Sequence, residues 1–372
     1  MQVLHPFADY YFTIYWLIVM MMTVNQFYLL KEIKGYGVFS KKFNYRSISL
    51  FLFFYIIFFG FRPVADCFGD MVIYKTSYEL LQNYGVFDLQ GTEERSSDVV
   101  FYTFQKICAI TVNIHFWFAS IMFFYIWMMF AGCKKIDYRH GALLMLFCIG
   151  SFQFYTFSVN GIRNGVACSF AIMAVACLCK EKRIWALVWA LIGIGCHKSV
   201  ALPAATMFFT YYMSKPKYMY IVWLGAIVLS LSIGGYIDVF LSSISYDERL
   251  ASELQGSDAD GLVLEHRFRW DFLLYSSMPI LLGWYTIFKR ELYNKTYLIL
   301  LGTYIYANAF WVLAIRAMFS NRIAYLSWFI YPIVLAYPLL NFPVFKKHHC
   351  EKTAWIFLGH FGFTTILWLL GK

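Results

Sequence analysis

Three short stretches set a cationic or imidazole side chain among small and amide residues at the start of an apolar run. They are Val159-Asn160-Gly161-Ile162-Arg163-Asn164-Gly165, Cys196-His197-Lys198-Ser199 and Ser320-Asn321-Arg322. A helix start carries unpaired N–H groups and the positive end of the helix dipole. An arginine or lysine beside it makes a site suited to an anion such as phosphate. Asn160 reads as the N-cap of the run that follows it. The bland reading of Arg163 and Arg322 is that they snorkel to lipid headgroups. His197, flanked by Gly193, Gly195, Cys196 and Ser199, reads as a base that takes a proton from a hydroxyl, or as a structural hydrogen-bonding residue. A fourth stretch holds Arg62, Asp66, Asp70 and Tyr74. Two carboxylates four apart are too few ligands for a convincing metal site, and they serve equally well to pair with arginines and set their geometry.

The elements that position these residues follow from composition. The 372 residues are 61% hydrophobic and 14% charged, with a mean hydropathy of +0.59. A soluble domain has about a quarter of its residues charged. Apolar runs of the length that crosses roughly 30 Å of hydrocarbon as helix recur along the chain. Segments such as 48–61 and 142–152 do not alternate, which excludes a membrane β-barrel. The fold class expected is an all-α polytopic membrane protein, a single integral domain over 1–372. Its twelve transmembrane helices are read at 8–30, 47–61, 107–131, 141–159, 162–179, 184–196, 199–213, 218–240, 270–288, 296–315, 323–345 and 353–370. The pair within 184–213 has about 15 residues per crossing and reads either as two short spans or as a re-entrant hairpin with its tip near His197.

Charge sets the orientation. With both termini outside, the inner loops are 31–46, 132–140, 180–183, 214–217, 289–295 and 346–352. They hold 19 of the 31 Lys and Arg but 5 of the 21 acids, so the inner side is +14 and the remainder −4. Arg62, Arg163, Lys198, Arg267, Arg316 and Arg322 then lie on the outer side, where orientation gives no reason for basic residues. The long outer loops are 62–98 and 241–269. Apolar periodicity (Tyr78, Leu81 and Tyr84; Leu250 and Leu254) predicts short helices lying on the outer surface.

The net charge of +10 does not read as a nucleic-acid footprint, because the basic residues punctuate apolar runs instead of lining a patch. Nine cysteines show no metal or disulfide spacing, and eight lie in or beside apolar segments, where Cys acts as a small hydrophobe. No cofactor, metal-ligand set or structural disulfide is expected, and the acidic outer residues leave metal dependence open. The stretch before the first apolar run lacks a basic region and a cleavage site, so that run reads as a retained helix.

The set of motifs resembles a known family. Gly60-Phe61-Arg62 through Gly69-Asp70 to Tyr74 is similar to the first outer-loop pattern of the EpsG family. Asn160-Gly-Ile-Arg163-Asn-Gly-Val-Ala167 resembles its arginine-plus-small-residue helix start. Cys196-His197-Lys198-Ser199 resembles its His-x-Ser hairpin, and Asn321-Arg322-Ile-Ala-Tyr325 its late Arg-aromatic helix. The four occur in order over nearly the whole chain. Ala65-Asp66-Cys67 ahead of Phe68-Gly69-Asp70 departs from the pattern and leaves open whether Asp66 or Asp70 holds the family position. The resemblance implies a GT-C-like membrane glycosyltransferase of the Wzy polymerase type, in the bacterial cytoplasmic (inner) membrane. Such an enzyme transfers a growing glycan from undecaprenyl pyrophosphate to a lipid-linked acceptor repeat unit on the outer face. A chain-length regulator is a partner suggested by the family alone.

On this reading the arginines stabilise the charge that grows on the pyrophosphate leaving group. Arg163 leads, with Arg322, and Arg62, Arg316 and Arg267 follow as phosphate or glycan binders, joined by Lys198, Asn160 and Tyr74. His197 is the base for the acceptor hydroxyl, with Asp70 the alternative. Two rivals remain. A flippase for lipid-linked repeat units calls for related halves and charges near the midplane, neither of which is visible here. An acyltransferase acting on surface glycans calls for essential residues on the inner side.

Overall fold

The computed structural model describes residues 7–33, 45–83, 98–244, 268–317 and 320–369. All regular structure among them is helical. The helices are α1 (Tyr10–Lys31), α2 (Tyr45–Gly60), α3 (Met71–Gln82), α4 (Val99–Thr111), α5 (Ile114–Ile136), α6 (Gly141–Ile149), α7 (Phe152–Val159), α8 (Ile162–Cys179), α9 (Arg183–Cys196), α10 (Ala201–Tyr212), α11 (Pro216–Ile244), α12 (Trp270–Trp284), α13 (Lys295–Leu313), α14 (Ser320–Trp328), α15 (Tyr331–Asn341) and α16 (His349–Leu369). Among the described residues, six spans are long and apolar enough to cross a membrane: α1, α5, α8, the Pro216–Gly234 part of α11, α13, and α14 with α15. A seventh is α6 with α7, counted as one bent span. The chain is a multi-pass membrane protein.

Several expected boundaries shift. The apolar run placed at 107–131 is two helices, because α4 ends at Thr111 with an extended Val112 and Asn113 caps α5, its Oδ1 accepting the Phe116 N–H at 3.1 Å. The span placed at 141–159 is broken at Gly150-Ser151 and bent by 75°. The freed backbone there is partly satisfied by Ser151, whose hydroxyl donates to the Cys148 carbonyl. Within 62–98 the expected surface helix is α3, which buries Met71, Tyr74, Ser77, Tyr78 and Leu81 on one face. The second such helix, at Leu250 and Leu254, lies outside the described residues. With 14 and 12 residues, α9 and α10 reach about 21 and 18 Å, less than the full hydrocarbon thickness.

The chain forms two compact units, residues 1–201 with 339–372, and residues 202–338. The first is built around α8, 83% buried over its apolar window, which packs on α5 so closely that a Cβ on Gly132 would lie 2.7 Å from Ile172. In lipid there is no hydrophobic drive between helices, so such small-residue crossings supply the packing. Outward faces are apolar, as with Ile184, Leu187 and Leu191 on α9, which suits hydrocarbon as solvent. In the second unit the apolar stretch of α14 and α15 over residues 323–338 is buried and forms the core. Two of its tryptophans are hydrogen-bonded inside: Trp223 Nε1 donates to Asn308 Oδ1 (2.9 Å), Asn308 Nδ2 to Ser327 Oγ (3.1 Å), and Trp328 Nε1 to Ser276 Oγ (2.7 Å).

The first unit carries polar knots at the two ends of α2. At the start, the Tyr45 hydroxyl donates to the Tyr138 carbonyl, and Asp137 binds the Arg139 and His140 N–H groups, the His140 ring and the Asn341 amide. Burial pushes the Asp137 carboxyl up, but the hydrogen bonds from His140 and Asn341 outweigh it and hold the group at about 2. At the other end, Arg62 begins the second knot.

Candidate functional site

Arg62 follows α2 and is buried, 1% exposed. Its Nη1 donates to the Phe59 carbonyl at 2.6 Å and its Nη2 to the Val159 carbonyl at 3.2 Å. The guanidinium lies 5.5 Å from the Phe68 ring centre and 5.2 Å from that of Phe118. Both carbonyls belong to helix C-terminal turns, where a cation is favoured. Arg62 therefore ties the end of α2 to the end of α7.

The chain then turns through Asp66–Phe68 to Gly69, whose φ of +68° is in the left-handed region. A Cβ at Gly69 would lie 2.5 Å from the Asn160 side chain. That closeness lets Asn160 Oδ1 accept the Asp70 N–H at 3.0 Å. Asn160 thus does not cap α8: Gly161 holds the N-cap position, and the Asn160 amide instead binds the loop before α3. Asp66 and Asp70 are both exposed, and the Asp70 side chain makes no cap hydrogen bond to α3.

Arg163, in the first turn of α8, is the hub. Its Nη1 donates to Asp98 Oδ2 at 2.9 Å and to the Tyr102 hydroxyl at 2.8 Å. Tyr74, from α3, also bonds to it. Burial raises the Tyr74 hydroxyl to about 12, against the pull of Arg163, so the phenol stays protonated. The Arg163 side chain is 20% exposed, yet its Nε is buried and makes no hydrogen bond among the described residues. A buried guanidinium N–H without an acceptor is costly. It is also what an incoming anion would satisfy.

His197 ends α9 with an extended backbone, and a single 3₁₀ turn, Lys198–Val200, follows. The Lys198 N–H donates to Asp98 Oδ1 at 3.0 Å, and His197 Nδ1 lies 3.8 Å from the same oxygen. The structure therefore brings Asn160, Arg163, Tyr74, Asp70, His197 and Lys198 into one connected cluster at the end of the first unit that begins with Arg62.

Asp98, just ahead of α4, and Tyr102, in its first turn, are the residues that sequence reasoning missed. A span starting at 107 left Asp98 at the end of an acid-rich loop. The available signal was an Asp placed immediately before the apolar run Val99-Val100-Phe101, which is the pattern of a helix start.

The remaining predicted residues belong to the second unit or are not described. Arg316 lies in the turn after α13, with its guanidinium 5.4 Å from the Phe268 ring centre and its side chain packed on Gly234. Arg322 is exposed in the first turn of α14, where its N–H donates to Asn321 Oδ1 at 3.0 Å. Arg267 lies outside the described residues. Among the described residues, no three of His, Cys, Asp and Glu converge as a metal-ligand set.

The cluster offers Arg163, whose buried Nε makes no hydrogen bond among the described residues (a feature it shares with Arg62), one imidazole beside a carboxylate, and two phenols. That combination can hold an anion and take a proton from a hydroxyl. Comparison with curated proteins and with solved structures finds no significant match. The EpsG family model matches residues 45–370, from the start of α2 to the end of the last helix, and the chain belongs to the EpsG family.

Proposed function

We propose that the protein polymerises lipid-linked oligosaccharide repeat units on the outer face of the bacterial cytoplasmic membrane. The observation that carries this reading is Arg163, anchored by Asp98 and Tyr102 with its Nε buried and unpaired, beside His197. Membership of the EpsG family and the multi-pass fold are compatible with it. The chain crosses the membrane twelve times in a GT-C-like arrangement, with the basic loops inside and the Arg163 cluster outside.

The donor is a growing glycan on undecaprenyl pyrophosphate and the acceptor one repeat unit on the same lipid. An acceptor hydroxyl oxygen bonds to the donor's anomeric carbon, and the bond from that carbon to the pyrophosphate oxygen breaks. The hydroxyl proton passes to His197 Nε2. The departing pyrophosphate gains negative charge as the bond breaks, and Arg163 stabilises that charge where it grows. Asn160 and Tyr74 hold the Arg163 side of the site in place. Arg316, Arg322 and Arg267 serve lipid-phosphate or glycan binding from the second half of the chain. Arg62 acts as a clip between α2 and α7, so its contribution is to the shape of the site. A chain-length regulator would act on this enzyme from outside its own membrane domain.

The test is deletion of the gene in its own host, with the surface glycan displayed on a gel. Collapse of the ladder to single repeat units that still reach the surface is the expected result. It is restored by wild type but not by Arg163→Ala protein made at normal level. Lipid-linked intermediates trapped inside, with no single units at the surface, would make the protein a flippase instead.

A further inference from the structure

Asp98 has an environment that its position in the chain does not explain. It sits at the N-cap position of α4, yet its side chain makes no cap hydrogen bond there. Only 4% of that side chain is exposed. A buried carboxylate is strongly unfavourable unless it is paired and hydrogen-bonded. Here both oxygens are engaged, and with different segments. Oδ2 takes Arg163 Nη1 from α8, 65 residues along the chain. Oδ1 takes the Lys198 N–H, 100 residues along, and lies 3.8 Å from His197 Nδ1.

We propose that Asp98 is the positioning residue of this site, fixing Arg163 through one oxygen and orienting and charging His197 through the other. This rests on the polymerase reading above. The Lys198 N–H bond pins the turn immediately after His197, and the Asp98 carboxylate, 3.8 Å from Nδ1 and acting through its charge at that distance, favours the tautomer with the proton on Nδ1. The basic nitrogen is then Nε2, on the far side of the ring from Asp98. When Nε2 takes the acceptor's proton, the imidazolium forms beside a negative charge, which makes His197 a stronger base. Asp98 itself neither gains nor loses the proton. Among the described residues, the charged and titratable groups around the pair include Asp98 just ahead of α4, Tyr102 from α4, Tyr74 from α3, Arg163 from α8, and Cys196 and Lys198 from the segment of His197 itself. Arg163 alone would suppress protonation of His197, and Asp98, bonded to it, offsets that field.

The experiment uses the full-length protein in lipid nanodiscs with lipid-linked repeat units, and compares wild type, His197→Ala, Asp98→Asn and Asp98→Glu. Asn keeps the shape and can still accept from Arg163 or from the Lys198 N–H through its one oxygen, but it gives up the other bond and carries no charge. For Asp98→Asn, kcat is expected to fall ten- to a hundredfold with KM changed less than threefold. The acid limb of the pH profile is expected to move to lower pH, because the neutral amide no longer favours the imidazolium. A merely structural role would leave that limb in place, so an unshifted limb, whatever kcat does, overturns the proposal. If Asp98→Asn protein is not made, Asp98→Glu decides. Its charge is kept but displaced by one methylene, so the limb should stay and kcat should fall at least tenfold, and wild-type kcat overturns the proposal. Failure of the polymerase reading is a separate outcome, seen when wild type does not elongate the repeat units or when His197→Ala elongates them normally.

Discussion

The Asp98 carboxylate and the Arg163 guanidinium meet at 2.9 Å in the first unit, joining the first residue ahead of α4 to the first turn of α8. Arg163 is thereby held in place by the protein's own side chains. Fixed donors aimed at developing charge need no reorganisation during the reaction, which is where such sites gain most of their effect. The lysine replacement separates charge from geometry. Arg163→Lys keeps the cation but loses the planar fork that reaches Asp98, Tyr102 and Tyr74 together. Polymerisation should fall at least about a hundredfold, with protein level and thermal stability near wild type, as read from product ladders and a melting curve.

Arg62 should behave in the opposite way. Its donors go to the Phe59 and Val159 carbonyls and its plane lies between two phenylalanine rings. Arg62→Ala removes both clips and leaves a void, and should cost roughly 3 kcal/mol of stability. The loss would appear as a lower melting temperature in detergent. Arg62→Lys, if it folds, should retain most of the catalytic rate.

Gly69 tests the loop that holds Asp70 against Asn160. Gly69→Ala places a Cβ 2.5 Å from the Asn160 side chain at a φ of +68°. The Asp70 N–H bond to Asn160 should be lost, at a cost of about 1–2 kcal/mol. Because Asn160 is three residues before Arg163, activity should drop more than stability. Activity and melting temperature measured on the same preparation give the comparison.

The knot at the far end of α2 predicts an acid dependence. Asp137 is held at about 2 in the folded chain, below the ordinary carboxyl value near 3.9. A lowered folded value means that its contribution is complete above the unfolded value and disappears as pH falls through the folded one. Stability in detergent should therefore decline between about pH 4 and pH 2. Asp137→Asn should remove that part of the decline and lower stability by roughly 2 kcal/mol at neutral pH, as followed by thermal melts across pH.

Much of this was legible in the sequence, and what was not had physical causes. Arg163, His197 and Asn160 stood out because polar residues beside glycines interrupt long apolar runs. The membrane character followed from how little charge the chain has. The break in α6–α7 was hidden because Gly150 and Ser151 sit inside an unbroken apolar stretch, and hydropathy does not register a bend. Asp98 was hidden because its partners lie 65 and 100 residues away, so no local spacing links them. Arg62 looked like one more outer cation. Only the positions of the Phe59 and Val159 carbonyls show that its hydrogen-bonding capacity is directed inward.

Orientation can be read by labelling. Cys67 is exposed next to Asp66 at the Arg163 end of the first unit, while Lys347 lies in a loop expected on the inner side. Partial burial and the neighbouring Asp9 push the Cys67 thiol up, so the reaction is best run near pH 8.5. In intact spheroplasts a membrane-impermeant maleimide should label Cys67. It should not label Lys347→Cys in a Cys67→Ser background until the membrane is opened. The reverse pattern would place the Arg163 cluster inside.

The most direct measurement follows lipid-linked repeat units with the purified protein as the sole added enzyme. Dimers and longer lipid-linked glycans should form, with one undecaprenyl pyrophosphate released per bond made, and Arg163→Ala should abolish both. Unchanged single units in the presence of folded wild-type protein, or chains that grow equally well with Arg163→Ala, would contradict the account.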